Sequence, residues 1–297
     1  MRIAVTGGTS FIGSHVAEGM LALGHELLLL DDPSSRAPRD LPAGATRSSL
    51  DLRDASELAR VLRAFRPDAV CHAVRHEAKH VGAALDASVR SGAQSFILAS
   101  NDALEPERDL PGCEHARHLR AVTLRYGNVY GPGQDQEREP GVVGTFIARM
   151  LRHEPIQINA RSRRGDDGCV RDYVFVDDLV RATIAALDPR FAHRTMDVCT
   201  GRPITTRALA EHIRRACGSH SSICHASRRA GDAVWSRPVL DPTHCRALYQ
   251  PTGLIAGLTK TIAWFEARAW RSEAVSGRIA RPEALAGGLR SAPGTAA

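Results

Sequence analysis

The 297-residue sequence predicts an α/β fold: a doubly wound parallel sheet with a smaller C-terminal α/β domain. Three observations predict it. A short apolar strand, Arg2-Ile3-Ala4-Val5, opens the chain and runs directly into Thr6-Gly7-Gly8-Thr9-Ser10-Phe11-Ile12-Gly13-Ser14-His15. A helical pattern, Phe11 to Leu23, follows and stops at Gly24. Strand and helix patterns then alternate through the first 130 residues, the signature of a parallel sheet with helices on both faces. Together they describe the opening of a Rossmann-like sheet.

Each element can be justified in turn. A glycine turn between strand and helix lets a backbone approach a pyrophosphate, whose charge then meets the positive helix N-terminus. The next apolar run, Glu26 to Leu30, ends in Asp31-Asp32, and an acid there suits the ribose of NAD rather than NADP. The alternative is a βαβ unit whose glycines serve only the turn. Ser49-Leu50-Asp51-Leu52 ends a short strand before an amphipathic helix, Ser56 to Phe65. Asp68 to His72 is a buried strand and Val81 to Ser91 a helix closed by Gly92. Ser95 to Ser100 and Ala121 to Tyr126 are the next strands. From Val142 the pattern changes: helix 143–151, strand Ile156 to Asn159, a polar stretch 160–168, strand Tyr173 to Val176, then a helix through Ala185. Helices 206–217 and 258–269 follow. This divides the chain into residues 1–140, a dinucleotide-binding domain onto which a helix near 177–187 packs back, and 141–272, mainly a substrate domain. Residues 273–297, rich in Ala, Gly, Arg and Pro, read as a disordered tail.

Composition narrows the function classes. The chain is 43% hydrophobic and 24% charged, with no apolar stretch long enough for a membrane span and no signal peptide, which points to the cytoplasm. Of 39 basic residues only Lys79 and Lys260 are lysine and the other 37 are arginine, spread along the whole chain. Without interleaved aromatics this reads as a composition bias, not a nucleic-acid surface. Seven cysteines without regular spacing read as free thiols. Cys217, His220, Cys224 and His225 form the one cluster with the look of metal ligands. A helix end between them and a strand after them would aim the four side chains apart, so no metal is expected.

The motifs add up to a family resemblance running from residue 1 to about 268. They are Thr6-Gly7-Gly8 with Phe11 to His15, Leu30-Asp31, Asp51-Leu52, Pro67 to His72, Leu124 to Pro132, Val170-Arg171-Asp172-Tyr173 with Val176-Asp177-Asp178, and Arg229 to Asp232. The chain resembles extended short-chain dehydrogenases/reductases of the NAD-dependent epimerase/dehydratase family, in the branch of UDP-glucose 4-epimerase. The resemblance implies NAD as cofactor, with Gly7, Gly8, Phe11, Ile12 and Gly13 around its pyrophosphate. Asp31 would hold the adenosine ribose, and Asp51 and Leu52 would border the adenine. It implies a UDP-hexose as substrate, contacted by Asn128, Arg171 and Arg229, the arginines near its diphosphate, where a guanidinium fork suits phosphate oxygens. Alternatives stay open: Arg171 could pair with Asp172 or Asp177, and Asn128 could simply open the Gly131-Pro132 loop.

The family's chemistry rests on a Tyr-x-x-x-Lys pair, and this chain has none. Its tyrosines are Tyr126, Tyr130, Tyr173 and Tyr249, and four residues beyond them lie Tyr130, Gln134, Asp177 and Gly253. The segment from Ser100 to Ala121, which should carry a full helix with that pair, holds Pro106, Pro111 and Gly112 and has room only for a short helix near 113–119. Asn101 stands at the family's catalytic Ser/Thr position. The crossover from His72 to Ser95 is short too, with Val74 and Arg75 where small residues face the cofactor. The family uses helices in both crossovers to form a homodimer, so the shortening argues against one here. The expectation is a UDP-sugar 4-epimerase by ancestry, impaired or inactive. The alternatives are a non-catalytic protein that binds NAD or a nucleotide-sugar, and an enzyme using Tyr130, His115 or His118 in place of the missing pair.

Overall fold

A computed structural model of the protein describes residues 1–33, 43–74, 78–101, 119–134, 141–228 and 249–275. In chain order the first half contains β1 (Arg2–Thr6), α1 (Phe11–Ala22), β2 (Glu26–Asp31), β3 (Thr46–Ser49), α2 (Ala55–Phe65), β4 (Ala69–His72), α3 (Ala78–Ser91), β5 (Ser95–Asn101), β6 (Arg120–Tyr126) and β7 (Asn128–Tyr130). The second half contains α4 (Val142–Leu151), β8 (Ile156–Asn159), β9 (Val170–Arg171), β10 (Tyr173–Phe175), α5 (Val176–Ala185), β11 (Arg194–Val198), β12 (Ile204–Thr205), α6 (Thr206–Ala216), β13 (Ile223–Ala226) and α7 (Leu254–Val275).

Seven strands form one parallel sheet of order β11-β6-β5-β4-β1-β2-β3. Continuous apolar runs such as Ile3-Ala4-Val5 and Leu27 to Leu30 suit it, because helices cover both faces and leave no side for alternating polar residues. One face packs Val16, Ala17 and Met20 of α1 and Leu179 and Ala182 of α5 against Ile3, Val5 and Leu29. The other packs Leu58 and Leu62 of α2 and Val81 and Leu85 of α3 against Val70, Phe96 and Leu98. A third apolar cluster lies outside the sheet, among α4, α6 and α7, around Phe146, Ile147, Leu209, Ile213, Leu258 and Ile262. Three short ladders serve this second lobe: β7 with β10, β9 with β12 and β8 with β13. Strand order reverses between β1 and β4, so the open crevice at their carboxyl ends is where such a sheet receives a ligand.

The structure differs from the sequence reading in detail. β11, which the sequence reading leaves unassigned, is an edge strand of the main sheet, paired with β6. With α5 against α1, this returns part of the chain beyond residue 141 to the first layer. Val176 opens α5 instead of ending a strand. α7 begins at Leu254, not 258, and runs to Val275, so residues 273–275 are helical and not tail. The remainder of the expected tail, 276–297, lies outside the described residues, as do residues 113–118 of the short helix expected near 113–119. No helix among the described residues is long and apolar enough to cross a membrane.

Candidate functional site

The turn from β1 into α1 sits at the point where strand order reverses. Gly7 has a φ of +72°, a conformation that costs glycine nothing, and a Cβ there would lie 2.8 Å from the carbonyl oxygen of Ala73, just past β4. A Cβ on Gly8 would meet Leu29 Cβ at 2.9 Å, and one on Gly13 would lie 2.0 Å from the Gly7 carbonyl oxygen. All three positions therefore exclude any side chain. Ser10, at the middle position of the turn, caps α1: its hydroxyl accepts a hydrogen bond from the Gly13 amide at 3.1 Å. Phe11 opens the helix buried, its ring edge-on to His15 at 5.4 Å, and Ile12 packs half-buried against the first core. The N-terminus of α1 thus opens from a turn with no side chain at Gly7, Gly8 or Gly13, capped by the Ser10 hydroxyl.

Asp31 ends β2 beside this turn. It is buried, and its Oδ2 accepts a hydrogen bond from the Thr9 amide at 2.9 Å. Loss of hydration pushes its carboxyl up to about 6, against the opposing pull of the Thr9 hydrogen bonds. The Leu50 amide donates to the Asp31 carbonyl at 2.9 Å, which brings Asp51 and Leu52 to the same edge. Leu52 is buried in the second core. Asp51 is gripped by Arg53, Nε to Oδ1 and Nη2 to Oδ2 both at 2.8 Å, and this bidentate ion pair orients its carboxylate.

The residues expected around a nucleotide-sugar are distant in sequence, and the short ladders bring two of them together. β7 pairs with β10 so that Asn128 lies opposite Tyr173, and β9 pairs with β12 so that Arg171 lies opposite Ile204. Arg171 Nη1 donates to the Val170 carbonyl at 3.1 Å. Asp172 accepts from the Thr200 and Gly201 amides, and Asp177 is 3.5 Å from Lys260. A cavity of about 740 Å³ opens alongside, with Tyr173, Gly201, Ile204 and Pro251 in its wall. The loop leaving β7 reaches the dinucleotide side as well: His15 Nε2 of α1 lies 2.7 Å from the Pro132 carbonyl oxygen, which accepts its hydrogen bond. Arg229 lies outside the described residues. Asn101 ends β5 opposite Tyr126.

The sequence pattern of the NAD dependent epimerase/dehydratase family matches residues 3–98 and 110–199. The chain belongs to that family. The UDP-glucose 4-epimerase of Mycolicibacterium smegmatis is 30% identical, over 89% of this chain and 98% of its own length. A crystal structure of the Thermus thermophilus UDP-glucose 4-epimerase in complex with NAD superimposes with a TM-score of 0.80 at 32% identity, covering 90% of this chain and 99% of that one. The Thermotoga maritima UDP-glucose 4-epimerase with UDP-glucose gives 0.78 at 28% identity, covering 91% and 100%. The family match breaks between residues 98 and 110, at the exit of β5. The alignment to the M. smegmatis enzyme spans 315 positions, more than the 297 residues of this chain, so that relative carries segments missing here.

Against this family background the tyrosines are informative. Tyr130 is buried; its hydroxyl donates to the Leu254 carbonyl at 3.2 Å, and burial pushes its phenol well above the ordinary range. A buried phenol whose hydroxyl is already given to a main-chain carbonyl is less able to act as a base, which weighs against Tyr130 among the alternatives for the missing acid/base. Tyr173 is buried with its phenol pushed up in the same way, and the Tyr249 hydroxyl donates to the Cys199 carbonyl at 3.2 Å. His115 and His118 lie outside the described residues. Cys217 caps α6 while Cys224 and His225 lie on β13, and among the described residues no three His, Cys, Asp or Glu side chains could hold a metal ion. Two contacts at these positions were not expected from the sequence: that of His15, which stands inside the glycine motif, and those of Asp172, whose Thr200 and Gly201 partners lie far along the chain.

Proposed function

We propose that this family member holds NAD at the β1–α1 turn and a UDP-hexose beside β7 and β9, and that it turns the sugar over slowly or not at all. The observation that supports the reading best is the placement of the side-chain-free β1–α1 turn at the point where strand order reverses, with the buried carboxylate of Asp31 bonded to its Thr9 amide. With buried Asp31 next to it, this is a cradle shaped for a pyrophosphate and a ribose. When bound, NAD supplies a site that can take and return a hydride.

The chain's own residues divide the remaining work. Gly7, Gly8 and Gly13 admit the pyrophosphate to the α1 amides. Asp31, ionised above a pH of about 6, accepts the adenosine ribose hydroxyls. Asp51, held by Arg53, and Leu52 border the adenine. Asn128, Arg171 and Arg229 contact the nucleotide-sugar, the arginines as forks for its diphosphate. The group that should exchange a proton with the sugar hydroxyl is the one missing, since neither lysine follows a tyrosine by four positions. Losing a positioned acid/base costs about 10²–10⁴-fold in rate.

The hydrogen bonds that commit the Tyr130 and Tyr249 hydroxyls to main-chain carbonyls favour a second reading, a non-catalytic protein that binds NAD and a nucleotide-sugar. One experiment separates the two. The purified chain is incubated with UDP-glucose and excess NAD, and UDP-galactose is followed by chromatography. Slow conversion, abolished by Asp31→Ala, supports the impaired epimerase. No conversion together with measurable UDP binding supports the binding protein. No binding of either ligand contradicts both.

A further inference from the structure

We propose that Asp172 is the positioning residue of the nucleotide-sugar half-site, joining three separate segments of its wall without touching the cofactor. The inference rests on the reading of Asn128 and Arg171 given above. The Asp172 carboxylate accepts the Thr200 amide at 3.1 Å, the Thr200 hydroxyl, and the Gly201 amide at 2.7 Å. Its main-chain carbonyl accepts the Asn128 amide at 3.0 Å. One residue therefore ties the start of β7 to the turn after β11.

The geometry around it is tight. A Cβ at Gly127 would lie 2.9 Å from the Asp172 carbonyl oxygen, so a glycine before Asn128 lets the two backbones meet. Gly201 has a φ of +69° and feeds β12, whose Ile204 lies opposite Arg171. Thr200 and Gly201 line the cavity, as does Tyr173, the next residue after Asp172. Releasing the carboxylate frees the turn, then the β12 strand that braces Arg171. The dinucleotide cradle is built from β1, α1 and β2 and shares none of these bonds. Backbone amides held by a charged acceptor make stronger anchors than neutral turn contacts, because charge-assisted hydrogen bonds are about twice as strong.

The test is calorimetric titration of UDP into the full chain saturated with NAD, with NAD affinity and melting temperature measured alongside. Asp172→Ala weakens UDP about tenfold and NAD by less than about twofold. Asp172→Asn, which keeps one acceptor oxygen, recovers part of the loss. Thr200→Val, which removes one donor, shows a smaller loss of the same kind. This split is something a purely structural role would not produce. Unchanged UDP affinity in Asp172→Ala overturns the proposal. So does equal loss of UDP and NAD in all three variants, which would make Asp172 a folding residue. A wild-type chain that binds NAD but not UDP contradicts the underlying reading, and the inference falls with it.

Discussion

The turn after β1 and the tyrosines Tyr130 and Tyr249 meet opposite demands. At the turn, three glycines stand where every neighbouring atom excludes a side chain, and a carboxylate is kept buried beside them although burial costs it ionisation. Before β10 and α7, tyrosine hydroxyls are given to main-chain carbonyls. Tyr130 secures the carbonyl of Leu254, and Tyr249 that of Cys199. The difference teaches that, on the proposed reading, binding and chemistry are separable on this sheet, since the β1–α1–β2 turn shares no hydrogen bond with these tyrosines.

The comparison breaks first at Gly13. Gly13→Ala places a methyl on the Gly7 carbonyl and should destabilise the chain by about 3 kcal/mol in urea unfolding, with NAD binding lost. Stability near that of the wild type would mean that the turn is loose and the cradle not built for close approach.

Asp31 sharpens it. Its carboxyl in the folded chain lies near 6, above the ordinary 3.8, so between those pH values the native state binds more protons than the unfolded one. Its contribution to stability is therefore full below the ordinary value and lost as pH rises through about 6. Asp31→Asn should be more stable than the wild type at pH 8, by about 3 kcal/mol, and the gap should narrow as pH falls through about 6 and close only below the ordinary carboxyl value. The same variant should bind NAD about 30-fold more weakly, because a charged acceptor for the ribose is gone. In the wild type, NAD affinity should rise with pH through about 6, read by calorimetry in buffers of matched ionic strength. A flat profile would remove Asp31 from the adenosine site.

The other half responds more weakly. Arg171→Ala should reduce UDP affinity about tenfold and leave NAD binding unchanged. Equal loss of both would mean that the arginine supports the fold. Smallest of all, Tyr130→Phe should cost about 1 kcal/mol of stability, the net value of one hydrogen bond, and leave any turnover unaltered. A fall in turnover would return Tyr130 to the chemistry.

How much of this was legible in the sequence follows from the reach of each interaction. The β1–α1–β2 unit was readable because its determinants are contiguous: an apolar run, a glycine turn and an acid at the next strand end. β11 was not, because Arg194-Thr195-Met196-Asp197-Val198 carries charges that hide its apolar face. Asp197 is nevertheless buried, paired with Arg125 of β6 at 2.8 Å, and no local pattern announces that partner. The start of α7 was obscured by Gly253 and Gly257, which break the helical period. Gly257 proves to be a packing choice, since a Cβ there would lie 2.2 Å from the Tyr130 hydroxyl. The substrate half-site was visible as candidates only. Asn128 and Arg171 could be named from motifs, but the carboxylate that joins their segments to the Thr200–Gly201 turn became visible only once the ladders were in place.

The most direct test of the account is the adenine dinucleotide content of the folded, purified chain. The protein is denatured, the supernatant is resolved by chromatography and mass spectrometry, and the chain is then titrated with NAD in a thermal shift assay. The account predicts NAD released in proportion to protein, or a melting temperature that rises with added NAD. A folded chain that releases no dinucleotide and whose melting temperature ignores NAD would contradict it.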